Sequence, residues 1–175
     1  MKTEKMVSKI TNDSTVKYFT ELMGDRYSGL LLVGGAVVDI LEGRTPLDYD
    51  FVAASDADID IFKCNGFKFV SVTKSAITLK KQKIVVQFLT RSLVEFDFKI
   101  SQSTYNFRTK KLTIDLISFE EKTLIPTSFI NEEYAIRSLV RIPHWRKKGY
   151  DIKDVTYLSL LNVIGTSKRI ESTKS

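Results

Sequence analysis

The segment Leu31-Leu32-Val33-Gly34-Gly35-Ala36-Val37-Val38-Asp39-Ile40-Leu41-Glu42-Gly43-Arg44-Thr45-Pro46-Leu47-Asp48-Tyr49-Asp50-Phe51 constrains this chain more than any other. A wholly apolar run, Leu30 to Val33, stops at two glycines. Ala36 to Leu41 suits a helix, closed by Gly43, and Pro46 starts a turn. Asp48 to Ala54 then alternates as Asp/Tyr/Asp/Phe. That order reads as buried strand, glycine bend, short helix, turn and second strand. Glycines at a strand end let the backbone approach an anion closely, and a helix N-terminus offers unpaired N–H groups to phosphate. Residues at i and i+2 of a strand share one face, so Asp48 and Asp50 stand side by side. Paired hard carboxylates suit Mg²⁺, which takes oxygen ligands and shares its site with substrate phosphates. Singly, a Gly-Gly pair is more often a tight turn and an Asp-x-Asp a solvated strand face. Their order and spacing carry the specificity.

Around this segment the chain reads as α+β, with helices last. Thr15 to Met23 has helical spacing, with Asn12, Asp13 or Ser14 as cap. Asp56 to Cys64 reads as a short helix. Phe67 to Val72, Ala76 to Leu79 and Ile84 to Leu89 are expected strands, with Lys80-Lys81-Gln82-Lys83 as the turn joining the last two. Phe96 to Ile100 alternates like a strand but also suits a helix start. Tyr105 to Phe107 and Leu112 to Ile117 suggest a further hairpin around Arg108-Thr109-Lys110-Lys111. From Asn131 the pattern is helical, interrupted or kinked at Pro143 and ended by Gly149. Ile152 to Ile164 is a second amphipathic helix, and the tail after Gly165 is polar.

The single Cys64 excludes an internal disulfide framework and suits a reducing cytosol. The longest apolar run, residues 30–38, is broken by Gly34 and Gly35 and falls far short of the ~20 residues a membrane helix needs. The polar start, residues 1–9, has no signal-like apolar region. The chain is therefore read as soluble and cytoplasmic. A net charge of +6 favours polyanionic partners, nucleic acid or nucleoside triphosphate, as well as a merely basic surface. His144, the only histidine, lacks a second His or nearby Cys, so zinc is not expected. Cys64 reads as a small helix-packing residue. Trp145-Arg146-Lys147-Lys148 fits a buried ring and a solvated basic helix end better than a base-stacking surface. The lysine-rich tips at Lys80 and Arg108 read as soluble turns.

The glycine-to-aspartate segment resembles the head domain of the poly(A) polymerase / tRNA CCA-adding family of nucleotidyltransferases, small phage-type members above all. The family's signature runs Gly-Gly-x-Val-Arg-Asp, a Leu-x-Gly turn and Asp-x-Asp. It is matched at Gly34, Gly35, Val37, Asp39, Leu41, Gly43, Asp48 and Asp50. Asp97-Phe98-Lys99-Ile100-Ser101 looks like its Asp-Phe-Thr-Ile-Asn motif, and Arg137 to Tyr150 resembles its Arg-rich helix ending in Gly-Phe. The resemblance implies that Asp48 and Asp50 hold catalytic Mg²⁺ and that Gly34 and Gly35 line the triphosphate. It also implies that Asp39 orders the loop or meets the ribose, Asp97 lies near the sugar, and Arg137 and Arg141 face base or phosphate. Two departures stand out. The family's arginine is Val38 here, with Lys99 as a candidate replacement cation. Its third carboxylate aligns with Gln87, a neutral amide that cannot act as a base at neutral pH; Glu95 or Asp97 are candidate substitutes.

The expected architecture is an α+β nucleotidyltransferase (polymerase beta-like) fold. It has a mixed sheet flanked by helices over residues 1–130, a C-terminal helical segment over 131–168 and a tail over 169–175. The expected function is Mg²⁺-dependent transfer of a nucleotidyl group from an NTP to a hydroxyl acceptor, RNA or another. The alternative is a degenerate member that binds nucleotide or nucleic acid without catalysis, and a third reading is an interaction protein in which the motif is a relic.

Overall fold

The computed structural model describes residues 2–24, 29–53, 55–90, 96–127 and 131–172. Ala54 and Glu95 therefore lie outside the described residues, as does the end of the tail. The chain divides into two compact units, residues 1–92 with 103–113, and residues 93–102 with 114–175. The expected segments 1–130 and 131–168 do not coincide with them.

The first unit holds helices α1 (Lys2–Asn12), α2 (Ser14–Met23), α3 (Gly35–Leu41) and α4 (Asp56–Cys64). Its strands are β1 (Leu31–Val33), β2 (Tyr49–Val52), β3 (Lys68–Val72), β4 (Ala76–Lys81), β5 (Ile84–Leu89), β6 (Thr104–Asn106) and β7 (Lys111–Thr113). Among the described residues these form one seven-stranded sheet in the order β3-β4-β5-β2-β1-β6-β7. All neighbours run antiparallel except β2 and β5, which pair in parallel. The sheet is thus mixed, as expected. A parallel pair cannot be joined by a tight turn; here the connection runs through α4, β3 and β4.

Alternation decides the core. Tyr49 and Phe51 are buried, whereas Asp50 and Val52 are half-exposed. Phe51 meets Phe19 of α2 at 5.2 Å, Phe62 of α4 at 5.5 Å and Phe88 of β5 at 5.6 Å between ring centroids. Phe19 also meets Tyr49 edge-on at 5.1 Å. Offset and edge-to-face pairs of this kind add about 0.5–1.5 kcal/mol each beyond area burial. α2 begins where Asp13 accepts hydrogen bonds from the Thr15 and Val16 N–H groups, both 2.9 Å.

One helix is unanticipated, and three local expectations are corrected. The polar start is helical: α1 places Met6 and Ile10, one turn apart, in the core. The strand expected over Leu112 to Ile117 ends at Thr113, because Asp115 accepts from the Ser118 N–H at 2.8 Å and caps a helix, α5 (Leu116–Glu121). Lys80 and Lys81 belong to β4, not to the turn, which falls on Gln82 and Lys83. Cys64, expected to pack, is exposed.

The second unit holds a 3₁₀ turn (Lys99–Gln102), α5, α6 (Glu132–Lys147) and α7 (Asp154–Ser172). Asn131 caps α6 by accepting from the Tyr134 N–H at 3.0 Å. α6 runs unbroken through Pro143, against the expected interruption; Ile142 and Trp145, both buried, anchor the helix on either side of it. Gly149 (φ +85°) ends the helix, and the Tyr150 N–H reaches back to the Trp145 carbonyl at 3.1 Å. α7 continues past Gly165 to Ser172. Among the described residues no helix is long and apolar enough to cross a membrane.

Candidate active site

The site begins where β1 ends. Gly34 has φ +73° and ψ −139°, a conformation that side chains forbid, and its N–H donates to the Ser103 carbonyl at 2.8 Å. Gly35 is the first residue of α3. The glycine bend is thus pinned between β1 and the residue that leads into β6.

The turn after α3 is held by a charged knot. Asp39, buried in α3, accepts from Arg44 Nε at 2.9 Å, and the Arg44 backbone N–H donates to the Asp39 carbonyl at 2.8 Å. Arg44 also pairs with Glu42. Burial opposes the Arg44 cation, but the hydrogen bond and charge of Asp39 and the charge of Glu42 outweigh it and raise its pKa. Sequence reasoning misses Arg44; its one signal is an arginine directly after the glycine that closes the helix. Val38, the departure from the family's arginine, is fully buried. Here it fills the core.

The knot leads into β2 and the acid pair. Asp48 precedes the strand by one residue, and Asp50 lies within it. Both are half-exposed. The parallel pairing sets Asp50 in register with Gln87, and the Gln87 Nε2 donates to Asp48 Oδ2 at 2.9 Å. Gln87 therefore stands where a third ligand beside the pair would stand. Among the described residues no group of three or more His, Cys, Asp or Glu side chains gathers as a metal cluster. Two carboxylates and one amide stand together here.

Tyr49, between the two acids in sequence, points to the opposite face. Burial raises its pKa, the hydrogen bond with Thr15 lowers it, and the charges of Asp13 and Asp39 raise it further.

The remaining expected residues lie in the second unit. Asp97 is completely buried and takes Arg141 Nη1 at 2.9 Å; its other carboxylate oxygen, also buried, has no hydrogen-bond partner among the described residues. Arg137 bonds to Glu133 one turn back at 2.8 Å and lies 5.1 Å over the Tyr134 ring. Lys99 is exposed in the 3₁₀ turn. Trp145 is buried edge-on to Tyr150 at 5.2 Å, so its ring offers no stacking surface.

No family model matches the sequence, and no curated protein matches it. Solved structures do. A CCA-adding enzyme of Thermotoga maritima in complex with tRNA superposes with a TM-score of 0.69 at 19% identity, covering 94% of this chain and 45% of that one. A CCA-adding enzyme in complex with CTP gives a TM-score of 0.70 at 17% identity, covering 97% and 47%. A CCA-adding enzyme with ATP gives 0.69 at 18%, covering 95% and 46%. The fold is therefore that of the nucleotidyltransferase head of such enzymes, and the chain spans about half the length of the structures it matches.

Proposed function

We propose that this chain carries a nucleotidyltransferase centre. In it Asp48 and Asp50 hold Mg²⁺ together with the phosphates of a nucleoside triphosphate; the hydroxyl of an acceptor, RNA or another, bonds to the α-phosphorus as the bond from that phosphorus to the β-phosphate oxygen breaks, and pyrophosphate leaves. One observation carries the reading: the register that gathers Asp48, Asp50 and Gln87 on one sheet face. The donor set fits the ion. Mg²⁺ is commonly held by one or two carboxylates, with water and substrate phosphate in the other places. The Gln87 amide has an oxygen as well as the NH₂ that now meets Asp48, so rotation of the amide would supply a third, neutral oxygen. When bound, the ion supplies charge neutralisation at the phosphates and polarisation of the attacking hydroxyl.

The chain's own residues supply position and proton chemistry. Gly34 leaves room for a phosphate to approach the backbone. The Asp39–Arg44–Glu42 knot fixes the turn that delivers Asp48. Gln87 cannot accept a proton at neutral pH, so a protein base for the acceptor hydroxyl would be Asp48 or Asp50. Asp97, Arg137 and Arg141 are assigned to the nucleotide on the resemblance of their motifs, with CTP- and ATP-bound neighbours of the same fold in support.

A second reading, nucleotide binding without transfer, is favoured by Gln87 itself, since a neutral amide binds metal more weakly than a carboxylate. The test incubates the protein with each labelled NTP, Mg²⁺ and an RNA oligonucleotide. Transfer that falls by about a thousandfold or more in Asp48→Ala/Asp50→Ala, about 4 kcal/mol of barrier, is the expected result. NTP binding with no transfer in either protein supports the second reading. No NTP binding at all sinks both.

A further inference from the structure

The register places more than acids on the face of the site. Asp50 lies opposite Gln87, and Gln87 opposite Thr78 of β4. Lys80, two residues past Thr78, stands on that same face, and Lys68 of β3 is its direct cross-strand partner. At about 4.8 Å per strand, Lys80 stands about 10 Å and Lys68 about 15 Å across the sheet from β2. Both are exposed, and neither forms an ion pair with the described residues.

Stability does not account for this pair. Like charges directly opposite each other destabilise a sheet. A lysine guards an edge strand against aggregation, which suits Lys68 on β3. It does not suit Lys80, because β4 lies inside the sheet. The charge is also concentrated. Residues 66–90 contain five lysines and no Asp, Glu or Arg, in a chain whose net charge is +6. One of the five is engaged elsewhere: Lys81 turns to the other face, its Nζ 3.0 Å from the Tyr18 hydroxyl and 2.8 Å from the Asn65 carbonyl. Lys74 and Lys83 lie in the turns at the two ends of β4.

We propose that Lys80 and Lys68 form a polyanion track that continues the acid face across β4 and β3, and that the phosphates of a single-stranded polynucleotide run along it away from Asp48 and Asp50. An anion between the two ammonium groups relieves the repulsion that the bare sheet carries. The track's role in positioning an acceptor rests on the proposed nucleotidyl transfer; its affinity for a strand does not.

The test is anisotropy of a fluorescent single-stranded RNA of about twelve nucleotides, within the ~4–16 nucleotides typical of such grooves. The full chain is compared with Lys68→Gln/Lys80→Gln and with Lys74→Gln/Lys83→Gln, which removes the same charge from the turns at the two ends of β4. Thermal melts establish that both variants fold. The expected result is about tenfold weaker binding for Lys68→Gln/Lys80→Gln only. Its log–log salt slope should shallow by roughly 1.4, about 0.7 for each single-strand phosphate that a lysine no longer neutralises. In the transfer assay the KM for the same RNA rises about tenfold while the KM for NTP holds. Equal weakening in both variants overturns the track, as does an effect on the KM for NTP alone, which would assign the lysines to the triphosphate. The two proposals fail separately. Weakened RNA binding with no transfer by the unaltered protein keeps the track and ends the catalytic reading. Transfer with unaltered RNA affinity and KM in Lys68→Gln/Lys80→Gln ends the track alone.

Discussion

The two faces of β2 differ in everything except their backbone. On one, Tyr49 and Phe51 are locked among Phe19, Phe62 and Phe88. On the other, Asp48 and Asp50 stand half-exposed beside the amide of Gln87. Because side chains alternate with a period of two, adjacent residues answer to different demands. The aromatic face holds the sheet to its helices; the acid face, on the reading proposed above, holds the metal ion. On that reading, the comparison teaches that stability and activity are separable at single-residue resolution.

The largest expected break in that separation is on the aromatic side. Phe51→Ala should cost about 3–5 kcal/mol in chemical denaturation, the range for emptying a buried phenylalanine site. If Phe51→Ala unfolds no more readily than the natural chain, the aromatic face is not the anchor. Its mirror experiment is Asp50→Asn. There the unfolding free energy should change by no more than about 0.5 kcal/mol, typical of a change away from the core, while transfer collapses. A large loss of stability in Asp50→Asn would show the acid face to be structural.

Gln87→Glu sharpens the acid face itself. A third carboxylate beside two others should tighten Mn²⁺ or Mg²⁺ binding about tenfold in calorimetry, about 1.4 kcal/mol. In metal-free buffer like-charge repulsion should lower stability, and added divalent ion should restore it. Unchanged metal affinity would place the ion away from position 87.

The smallest effect concerns pH. Burial raises the Tyr49 pKa in the folded chain, so the unfolded chain ionises first as pH rises past about 10. The stability tied to the neutral phenol is complete below that value and is lost as pH climbs through the folded pKa. Tyr49→Phe removes the dependence, so its melting temperature should fall less steeply above about pH 10. Parallel curves for the two proteins would refute the assignment.

Much of this arrangement is legible in the residues alone. The extents of α4 and β5 match their apolar patterns, and the Asn131 cap sits where the periodicity changes. Spacing and resemblance single out Asp48, Asp50 and Gln87, and the register brings them together. What stays hidden has local causes. α1 buries only Met6 and Ile10 among the described residues, too few apolar positions to stand out against its lysines. Asp115 caps α5 directly after a strand, so a single apolar run, Leu112 to Ile117, spans two kinds of structure. Lys80 and Lys81 resemble a turn in composition, and only cross-strand pairing shows that they extend β4 and face opposite ways.

The parallel pairing of β2 with β5 also bears on how the molecule assembles. Asp48 and Gln87 are 39 residues apart in sequence, so they meet only after α4, β3 and β4 have closed a long loop. Loop closure of that kind is entropically costly and slows the formation of distant contacts. A fragment ending before β5 would carry both acids and lack their companion. On the metal-binding reading proposed above, full affinity for a divalent ion would therefore report that β5 has joined β2, a built-in timer that refolding experiments with a luminescent lanthanide could read.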